Sequence, residues 1–264
     1  MEEIVEETME ETVVETTKKR IVIIGATSRI AEHCARLWVR DEAIDLTLVG
    51  RNEAKLQQIA SDLHVRNSES IIRVLATRFI DPMDIQHLVE GIMTQGAVDL
   101  VLIAHGILPD QQACQQQLVD NYEALVINGV SPVMCAEAFV TEMEKVNHGT
   151  VAIIGSVAGD RGRKTNYVYG AAKGLVNRYV QGLQHRLAKT EVKVVLVKPG
   201  PTDTPMTAEY KANGMPLACV KGVAQDIVDA IEKKKFMVYT PIKWRLIMKV
   251  FCNLPRFILH KLEV

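Results

Sequence analysis

Short runs of β-branched and aliphatic residues alternate with longer stretches of helical periodicity from residue 20 onward. Runs of this kind are typical of strands that a parallel sheet buries on both faces. Seven such runs predict strands at Ile21–Ile24, Leu46–Val49, Ile71–Ala76, Leu100–Ala104, Thr150–Ile154, Val192–Val197 and Phe236–Tyr239.

The stretches between these runs predict the helices. They cover Ile30 to about Arg40, Glu53–Leu63, a region that begins at Asp81-Pro82, a long region before Thr150, residues 167–188 and Val223–Lys233. Asp81 is expected to cap its helix, with Pro82 in the first turn. The alternation indicates βαβ units, so we expect one α/β domain, a Rossmann-like doubly wound parallel sheet with helices on both faces. Its ligand should lie beyond the carboxyl ends of the strands.

The two ends of the chain differ in composition from this predicted domain. Residues 1–19 contain seven glutamates and are expected to form a disordered acidic tail. Residues 20–241 form the predicted domain, and residues 242–264 form a basic C-terminal segment. The net charge of −1 implies no general polyanion-binding surface, so we expect no nucleic-acid partner.

The cysteines and the apolar runs indicate the compartment. The five cysteines are scattered without a CxxC spacing, which favours a reducing cytosol and predicts neither disulfides nor a metal site. The N-terminus lacks a signal-peptide core, and no apolar run approaches the roughly 20 residues that span a bilayer. We therefore expect a cytoplasmic protein.

The turn after the first strand is a candidate phosphate-binding turn. It runs Gly25-Ala26-Thr27-Ser28-Arg29-Ile30-Ala31 and opens a helix. A glycine there lets the backbone approach a pyrophosphate, whose charge is met by N–H groups at the helix N-terminus. Only one of the three glycines of a dinucleotide-binding motif is present, so an ordinary βα turn is an equal alternative. The candidate cofactor contacts in this turn are Gly25, Thr27, Ser28, Arg29 and Ile30.

The end of the second strand indicates which dinucleotide would bind. A carboxylate at this place would accept hydrogen bonds from the adenosine ribose of NAD. Here Arg51 and Asn52 follow the strand, and no acid is present. Arg51 could pair with a 2′-phosphate in a forked geometry, assisted by Ser28 and Arg29. The sequence therefore predicts NADP(H), with a surface arginine that caps a loop as the alternative.

Candidate catalytic residues lie in and before the helix at 167–188. Tyr169 and Lys173 are four residues apart, which puts both side chains on one helix face. A nearby lysine cation lowers the pKa of a phenol, which is ordinarily about 10. Tyr167 has no such partner, because Ala171 lies four residues on. Ser156 follows the strand Thr150–Ile154.

Together these motifs resemble the short-chain dehydrogenase/reductase family across residues 21–206. The resemblance implies that Ser156 orients the substrate oxygen, Tyr169 exchanges its proton and Lys173 holds the nicotinamide ribose. It also implies that Asn128 joins a water-linked proton relay, although a structural asparagine inside a helix is the alternative. The further cofactor contacts that the resemblance implies are Gly106, Tyr169, Lys173, Pro199, Gly200, Thr202 and Thr204, with Thr204 on the nicotinamide carboxamide.

The chain departs from the family pattern at several cofactor positions. Arg29 stands where the second glycine of the turn is usual, and Ala31 replaces the third. Arg78 takes the place of an aspartate near the adenine, and Ile103-Ala104-His105-Gly106 replaces N-N-A-G. We expect His105 to make structural hydrogen bonds rather than to act in catalysis.

The chain also resembles a bacterial branch that is similar to the reductase half of decaprenylphosphoryl-ribose 2-epimerase. The segments that carry this resemblance are Gly25–Ala31, Ala104-His105-Gly106, Val157–Arg163, Tyr167-Val168-Tyr169, Tyr239-Thr240-Pro241 and Trp244–Met248. The resemblance implies a ketoreductase of a sugar or lipid-linked sugar in cell-surface polysaccharide synthesis. Arg161 and Arg163, beside Lys164, could bind a substrate phosphate, with a solvated basic loop as the alternative. A reductase of soluble ketones or 3-oxoacyl thioesters is an alternative hypothesis. A second alternative hypothesis is a membrane-surface NADP(H)-binding subunit that serves a partner enzyme.

The C-terminal segment 242–264 mixes aromatic, aliphatic and basic residues, and Pro255 should divide it into two short helices. Such segments lie in a membrane interface, which would place the protein peripherally on the inner membrane surface. Packing over the substrate pocket or against a partner subunit is an equal alternative. The family resemblance further implies a homodimer or homotetramer through the helices that contain Asn128 and Tyr169.

Overall fold

The computed structural model describes residues 18–262, so nearly all of the predicted acidic tail lies outside the described residues. Seven parallel strands form one sheet in the order β3-β2-β1-β4-β5-β6-β7. The strands are β1 (Arg20–Ile24), β2 (Asp45–Gly50), β3 (Ile71–Ala76), β4 (Leu100–Ile103), β5 (Thr150–Ile154), β6 (Lys193–Pro199) and β7 (Met237–Thr240). Every predicted strand is present with small shifts at its ends.

Helices cover both faces of this sheet. They are α1 (Arg29–Asp41), α2 (Glu53–Arg66), α3 (Pro82–Met93), α4 (Gln111–Gln116), α5 (Leu118–Leu125), α6 (Ser131–Val146), α7 (Tyr167–Arg186), α8 (Ala208–Ala212), α9 (Val220–Glu232), α10 (Lys243–Asn253) and α11 (Arg256–Leu259). α1, α2 and α9 pack on one face, and α3, α6 and α7 pack on the other. The predicted doubly wound α/β fold is therefore confirmed.

Alternate residues of β1 show why the helices lie on both faces. Ile21 and Ile23 belong to one hydrophobic core, whereas Val22 and Ile24 belong to the other. Successive side chains of a strand point to opposite faces, so a run of apolar residues needs apolar cover on each side. The strand order reverses between β1 and β4, which opens a crevice at their carboxyl ends.

The predicted helix start at Asp81 is confirmed. The Asp81 carboxylate accepts hydrogen bonds from the backbone N–H groups of Met83 and Asp84, and Pro82 is the first residue of α3. These bonds satisfy amides that have no partner within the helix.

A long helix runs from Leu118 to Val146, with a π-helical segment, Val126–Val130, between α5 and α6. Its length and mean hydropathy of 1.5 would suffice to cross a membrane, which the sequence analysis did not anticipate. However, 61% of its apolar stretch is buried inside the protein, and it contacts α3 and α7. We therefore interpret it as a core helix. Its π-helical segment carries Asn128.

The C-terminal segment forms the two predicted short helices, α10 and α11, on either side of Pro255. α10 contacts β7 and the residues that follow β5. Met248 is buried in this contact, whereas Leu246 and Val250 stay mostly exposed. One face of α10 thus belongs to the domain, and the other faces solvent.

Candidate active site

A cavity of about 440 Å³ lies at the carboxyl end of the sheet. This volume is typical of small-molecule sites. The turn after β1, the loops after β4, β5 and β6, and helices α7, α8 and α10 all contribute to its walls. The predicted site residues that line it are Ser28, Ile30, Gly106, Ser156, Arg163, Tyr169, Lys173, Pro199, Gly200, Thr202 and Thr204.

Lys173 reaches the cavity from α7, one turn after Tyr169. Its Nζ donates a hydrogen bond to the carbonyl of Ile154 at 3.0 Å and lies 5.8 Å from the centroid of the Tyr169 ring. Only 3% of Lys173 is exposed. Because burial disfavours the charged form, it lowers the pKa of Lys173 to about 8. The ammonium therefore titrates close to neutral pH.

Tyr169 lines the same cavity, and its phenol is held in the protonated form. Burial raises the pKa of Tyr169 to about 12, and a hydrogen bond with Ser156 acts in the opposite direction. The sequence predicts a pKa lowered by Lys173. In the structure burial is the largest effect on this pKa and Lys173 is not among the groups that shift it, so the sign of that prediction is wrong. A protonated phenol is suited to donate a proton to a substrate oxygen.

Ser156 is placed by the end of β5 and by a short 3₁₀ turn, Val157–Asp160. Its Oγ accepts a hydrogen bond from the Ala158 N–H at 3.1 Å, which fixes the side chain at the cavity wall. Its hydroxyl proton can still be donated to another acceptor. The structure therefore brings Ser156, Tyr169 and Lys173 together, as the motif spacing predicts.

Asn128 is fully buried in the π-helical segment and does not line the cavity. Its Oδ1 accepts from the Ile107 N–H at 2.9 Å, and its Nδ2 donates to the Ala124 carbonyl at 3.0 Å. A Cβ on Gly106 would lie 2.8 Å from Asn128 Oδ1, so this bond requires glycine at position 106. The Asn128 side chain thus ties the loop after β4 to the long helix.

Gly25 opens the turn after β1 in a conformation that favours glycine. Its φ is +83°, and a Cβ would lie 2.6 Å from the Cβ of His105. Of the other turn residues, Ser28 and Ile30 line the cavity, Thr27 is exposed, and Arg29 does not reach the cavity wall. Arg29 Nη1 is instead paired with Glu32 Oε2 at 2.6 Å.

His105 makes structural contacts, in agreement with the sequence analysis. Its Nε2 lies 2.9 Å from Ser131 Oγ, and its ring packs against Phe79. Burial, with smaller effects from Lys173 and Arg51, lowers the pKa of His105 to about 3. The imidazole is therefore neutral at physiological pH.

Arg51 and Asn52 follow β2 outside the cavity. Asn52 Oδ1 accepts from the Lys55 N–H at 3.0 Å and so caps α2. Arg51 is exposed, and no residue between 18 and 262 forms an ion pair or side-chain hydrogen bond with it. Its charge therefore remains available to a ligand at this edge of the sheet.

The segment after β6 is held by internal bonds and by α10. Thr202 Oγ1 donates to the Gly200 carbonyl at 2.9 Å, and Thr204 lies beside Thr207. A Cβ on Gly200 would lie 1.9 Å from Trp244 Nε1, so the indole packs directly on this glycine. Trp244 thereby forms a cavity wall. This contact supports the interpretation that the C-terminal segment packs over the pocket.

The two arginines predicted to bind substrate are separated in the structure. Arg161 is not a lining residue, because its guanidinium donates to the carbonyls of Phe251 at 2.5 Å and Leu254 at 2.8 Å. It therefore anchors the C-terminal segment. Arg163 lines the cavity.

Several residues of the cavity wall are not among the predicted site residues, and they include Met206, Tyr210, Met215 and Trp244. The first three follow the β6 motif, where the family resemblance implies a substrate lid without specifying residues. Trp244 gave a signal, since it is an aromatic residue in a basic segment. The sequence leaves a membrane interface and packing over the pocket as equal alternatives, because Trp244 and Gly200 are distant in sequence and their contact cannot be read from it.

Comparisons with known proteins place the chain in a family. A family model described as short chain dehydrogenase matches residues 19–214. An uncharacterized oxidoreductase of Staphylococcus aureus (strain USA300) is 31% identical over 217 residues, which are 81% of this chain and 90% of the relative. An uncharacterized oxidoreductase of Streptomyces coelicolor is 28% identical over 247 residues, 93% of this chain and 96% of the relative.

Solved structures share the fold. A short-chain dehydrogenase from Sphingobium yanoikuyae in complex with NADPH is similar with a TM-score of 0.77 and 20% identity, covering 90% of this chain and 97% of that chain. A bulky-bulky ketone specific alcohol dehydrogenase from Comamonas testosteroni is similar with a TM-score of 0.75 and 20% identity, covering 91% of this chain and 96% of that chain. Since the family model matches most of the chain, the protein belongs to the short-chain dehydrogenase family and is an oxidoreductase that uses a nicotinamide dinucleotide.

Proposed function

We propose that the protein is an NADP(H)-dependent ketoreductase that interconverts a ketone and a secondary alcohol. The observation that carries this proposal is the convergence of Ser156, Tyr169 and Lys173 on one cavity at the carboxyl end of the sheet. The alternative function, a membrane-surface NADP(H)-binding partner subunit, needs no such convergence. The Comamonas testosteroni neighbour is described as ketone specific, and another neighbour is described as levodione reductase.

The residues present fit a bound dinucleotide. Ser28 is the N-cap residue of α1 and forms no side-chain capping bond, so N–H groups of the first helical turn are available to a pyrophosphate. Ser28 and Ile30 also line the cavity. Arg51 would hold the 2′-phosphate, and Thr204 and Lys173 would contact the nicotinamide end. Neighbours from Sphingobium yanoikuyae and Burkholderia cenocepacia are described as complexes with NADPH and NADP.

The side chains have distinct parts in the reduction. NADPH, when bound, supplies a hydride to the carbonyl carbon. Ser156 donates a hydrogen bond to the carbonyl oxygen and so orients it. Tyr169 transfers its proton to that oxygen as the alcohol forms, and the Lys173 ammonium stabilises the resulting phenolate. Asn128 holds the loop after β4 in place and is our candidate for linking Lys173 to a proton relay.

The substrate we propose is a ketone of a sugar or of a lipid-linked sugar. The resemblance to the decaprenylphosphoryl-ribose 2-epimerase branch supports this choice. A soluble ketone or a 3-oxoacyl thioester is the second candidate, and the soluble ketone is supported by the neighbour that is described as ketone specific.

We further propose a peripheral contact with the cytoplasmic membrane surface and a homodimer or homotetramer. The membrane contact rests on exposed Ile242, Leu246 and Phe257 within a basic segment. The oligomer rests on exposed apolar side chains at the start of the long helix, Leu118, Val119 and Tyr122.

A panel of keto sugars, 3-oxoacyl thioesters and simple ketones tests the proposed reaction. Purified protein should oxidise NADPH in the presence of at least one of them, with one alcohol formed per NADPH consumed. The ketone class with the highest kcat/KM identifies the substrate type. NADPH binding without turnover of any member would favour the alternative function of an NADP(H)-binding partner subunit.

A further inference from the structure

The cavity contains two cationic side chains, Arg163 and Lys173, among its described lining residues. The ammonium of Lys173 is bound to the Ile154 carbonyl and lies beside the Tyr169 ring. It is therefore committed to the catalytic end of the cavity. Arg163 lies on the loop between β5 and α7 and has no part in the catalytic step.

Arg163 lacks a counterion in the described part of the chain. No residue from 18 to 262 forms an ion pair with it, and its Nε is buried without a hydrogen-bond partner. Burial lowers the pKa of its guanidinium. By contrast, Arg161 donates to two carbonyls, and Arg29 is paired with Glu32. A partly buried cation with an unpaired buried donor is unfavourable unless a ligand supplies an acceptor.

The surroundings of Arg163 suit an anionic ligand. None of the described lining residues carries a carboxylate that would repel an anion or compete with it for the guanidinium. Asn166 and Tyr210 add an amide and a phenol to the cavity, and the N–H₂ and O–H groups of these side chains can donate hydrogen bonds to an anion. The walls formed by Met206, Met215 and Trp244 are apolar and can cover the carbon chain of a substrate.

We propose that Arg163 binds an anionic group of the substrate, a carboxylate or a phosphate, while Ser156 and Tyr169 hold the carbonyl to be reduced. A guanidinium presents paired N–H donors that match either group in a bidentate manner. The inference rests on the proposed ketone reduction and adds that the substrate carries a negative charge away from its carbonyl. Arg163 is then a specificity residue, and Arg161 is not.

Matched pairs of ketones test this proposal. Dihydroxyacetone phosphate and dihydroxyacetone differ by a phosphate, and 4-oxopentanoate and its methyl ester differ by a carboxylate charge. Binding of each to the NADP⁺ complex is measured by calorimetry, and kcat and KM are measured with NADPH. At least one anionic member should bind about tenfold or more tightly than its neutral partner, because a charge-assisted bidentate contact is added. The preferred pair distinguishes phosphate from carboxylate.

Variants identify the residue that is responsible. Arg163→Gln should raise KM for the preferred anionic ketone by about tenfold or more and leave kcat/KM for the neutral partner within about twofold. Arg163→Lys should retain part of the preference for the anionic ketone over its neutral partner, because lysine keeps the positive charge but lacks the paired N–H donors of a guanidinium. Lys164→Gln is the matched control, since it removes one charge at the next residue, which does not line the cavity.

The outcomes separate this proposal from the proposed reaction. Equal binding of the anionic and neutral members of each pair would overturn the anion site. An equal loss of kcat/KM for both members in Arg163→Gln would also overturn it. Reduction of ketones would stand in either case. Arg163-dependent binding of an anionic ketone without any NADPH oxidation would support the anion site and overturn the reaction.

Discussion

In the proposed mechanism, the protonation of Tyr169 and Lys173 sets the pH range in which the reduction can run. Burial shifts the pKa of Tyr169 upward and that of Lys173 downward, because both charged forms lose hydration. The phenol keeps its proton across the physiological range. The Lys173 ammonium, however, predominates only below its pKa. The protonated phenol and the ammonium that the mechanism needs therefore coexist below about pH 8.

The reduction rate should therefore fall as the pH rises through about 8. Below this pKa Lys173 is charged and stabilises the Tyr169 phenolate, and above it Lys173 is neutral. A profile of kcat for ketone reduction with saturating NADPH, from about pH 6 to about pH 10, checks this. Lys173→Arg should lower the rate and abolish the alkaline decline, because arginine stays charged. A profile that stays flat to the alkaline end would contradict the assignment.

Arg51 should determine the choice between the two nicotinamide cofactors. Its charge is exposed beyond β2, where a 2′-phosphate would lie and where no acid follows the strand. NADPH should bind about tenfold or more tightly than NADH, equivalent to about 1.4 kcal/mol, and Arg51→Ala should remove most of this preference. Fluorescence titrations with NADPH and NADH, in the unmodified protein and in Arg51→Ala, measure this preference. Equal affinities in the unmodified protein would show that Arg51 does not contact the phosphate.

At the level of elements, α10 combines two surfaces that the sequence analysis treated as alternatives. Trp244 and Met248 face the domain, while Leu246 and Val250 face solvent. Arg161 fastens the segment through the carbonyls of Phe251 and Leu254. Removal of the segment would therefore remove a cavity wall. A test of membrane binding must change only the exposed face.

The exposed face of α10 should bind anionic vesicles. The unmodified protein should co-sediment with phosphatidylglycerol vesicles, and less so at high salt, because screening weakens the attraction of the basic residues. The double variant Leu246→Ser and Val250→Ser should stay in the supernatant and keep its activity on a soluble ketone. Lys189→Ser, on an exposed residue outside this segment, is the control. Failure of the unmodified protein to co-sediment would contradict the membrane contact.

At the level of the whole molecule, patterns that are local in sequence were predicted and those set by tertiary contact were not. The strands follow from apolar runs, and Ser156, Tyr169 and Lys173 meet because strand-end and helix spacing fix their places. The sequence shows that Lys173 is near Tyr169 but not how far both side chains are removed from water, so the predicted pKa shift of Tyr169 has the wrong sign. Likewise, only the fold reveals that Arg161 reaches Phe251 while its neighbour Arg163 lines the cavity.

The central claim is that Tyr169 protonates a ketone oxygen during reduction by NADPH. Its most direct test compares Tyr169→Phe with Tyr167→Phe in NADPH oxidation by a ketone that the unmodified protein reduces, with NADPH affinity measured in parallel. Tyr169→Phe should keep NADPH affinity within about twofold and lose about 100-fold or more in kcat, because the ring remains and the proton donor is lost. Tyr167→Phe should change kcat little, since Tyr167 does not line the cavity. Near-normal turnover by Tyr169→Phe, or a larger loss in Tyr167→Phe, would contradict the account.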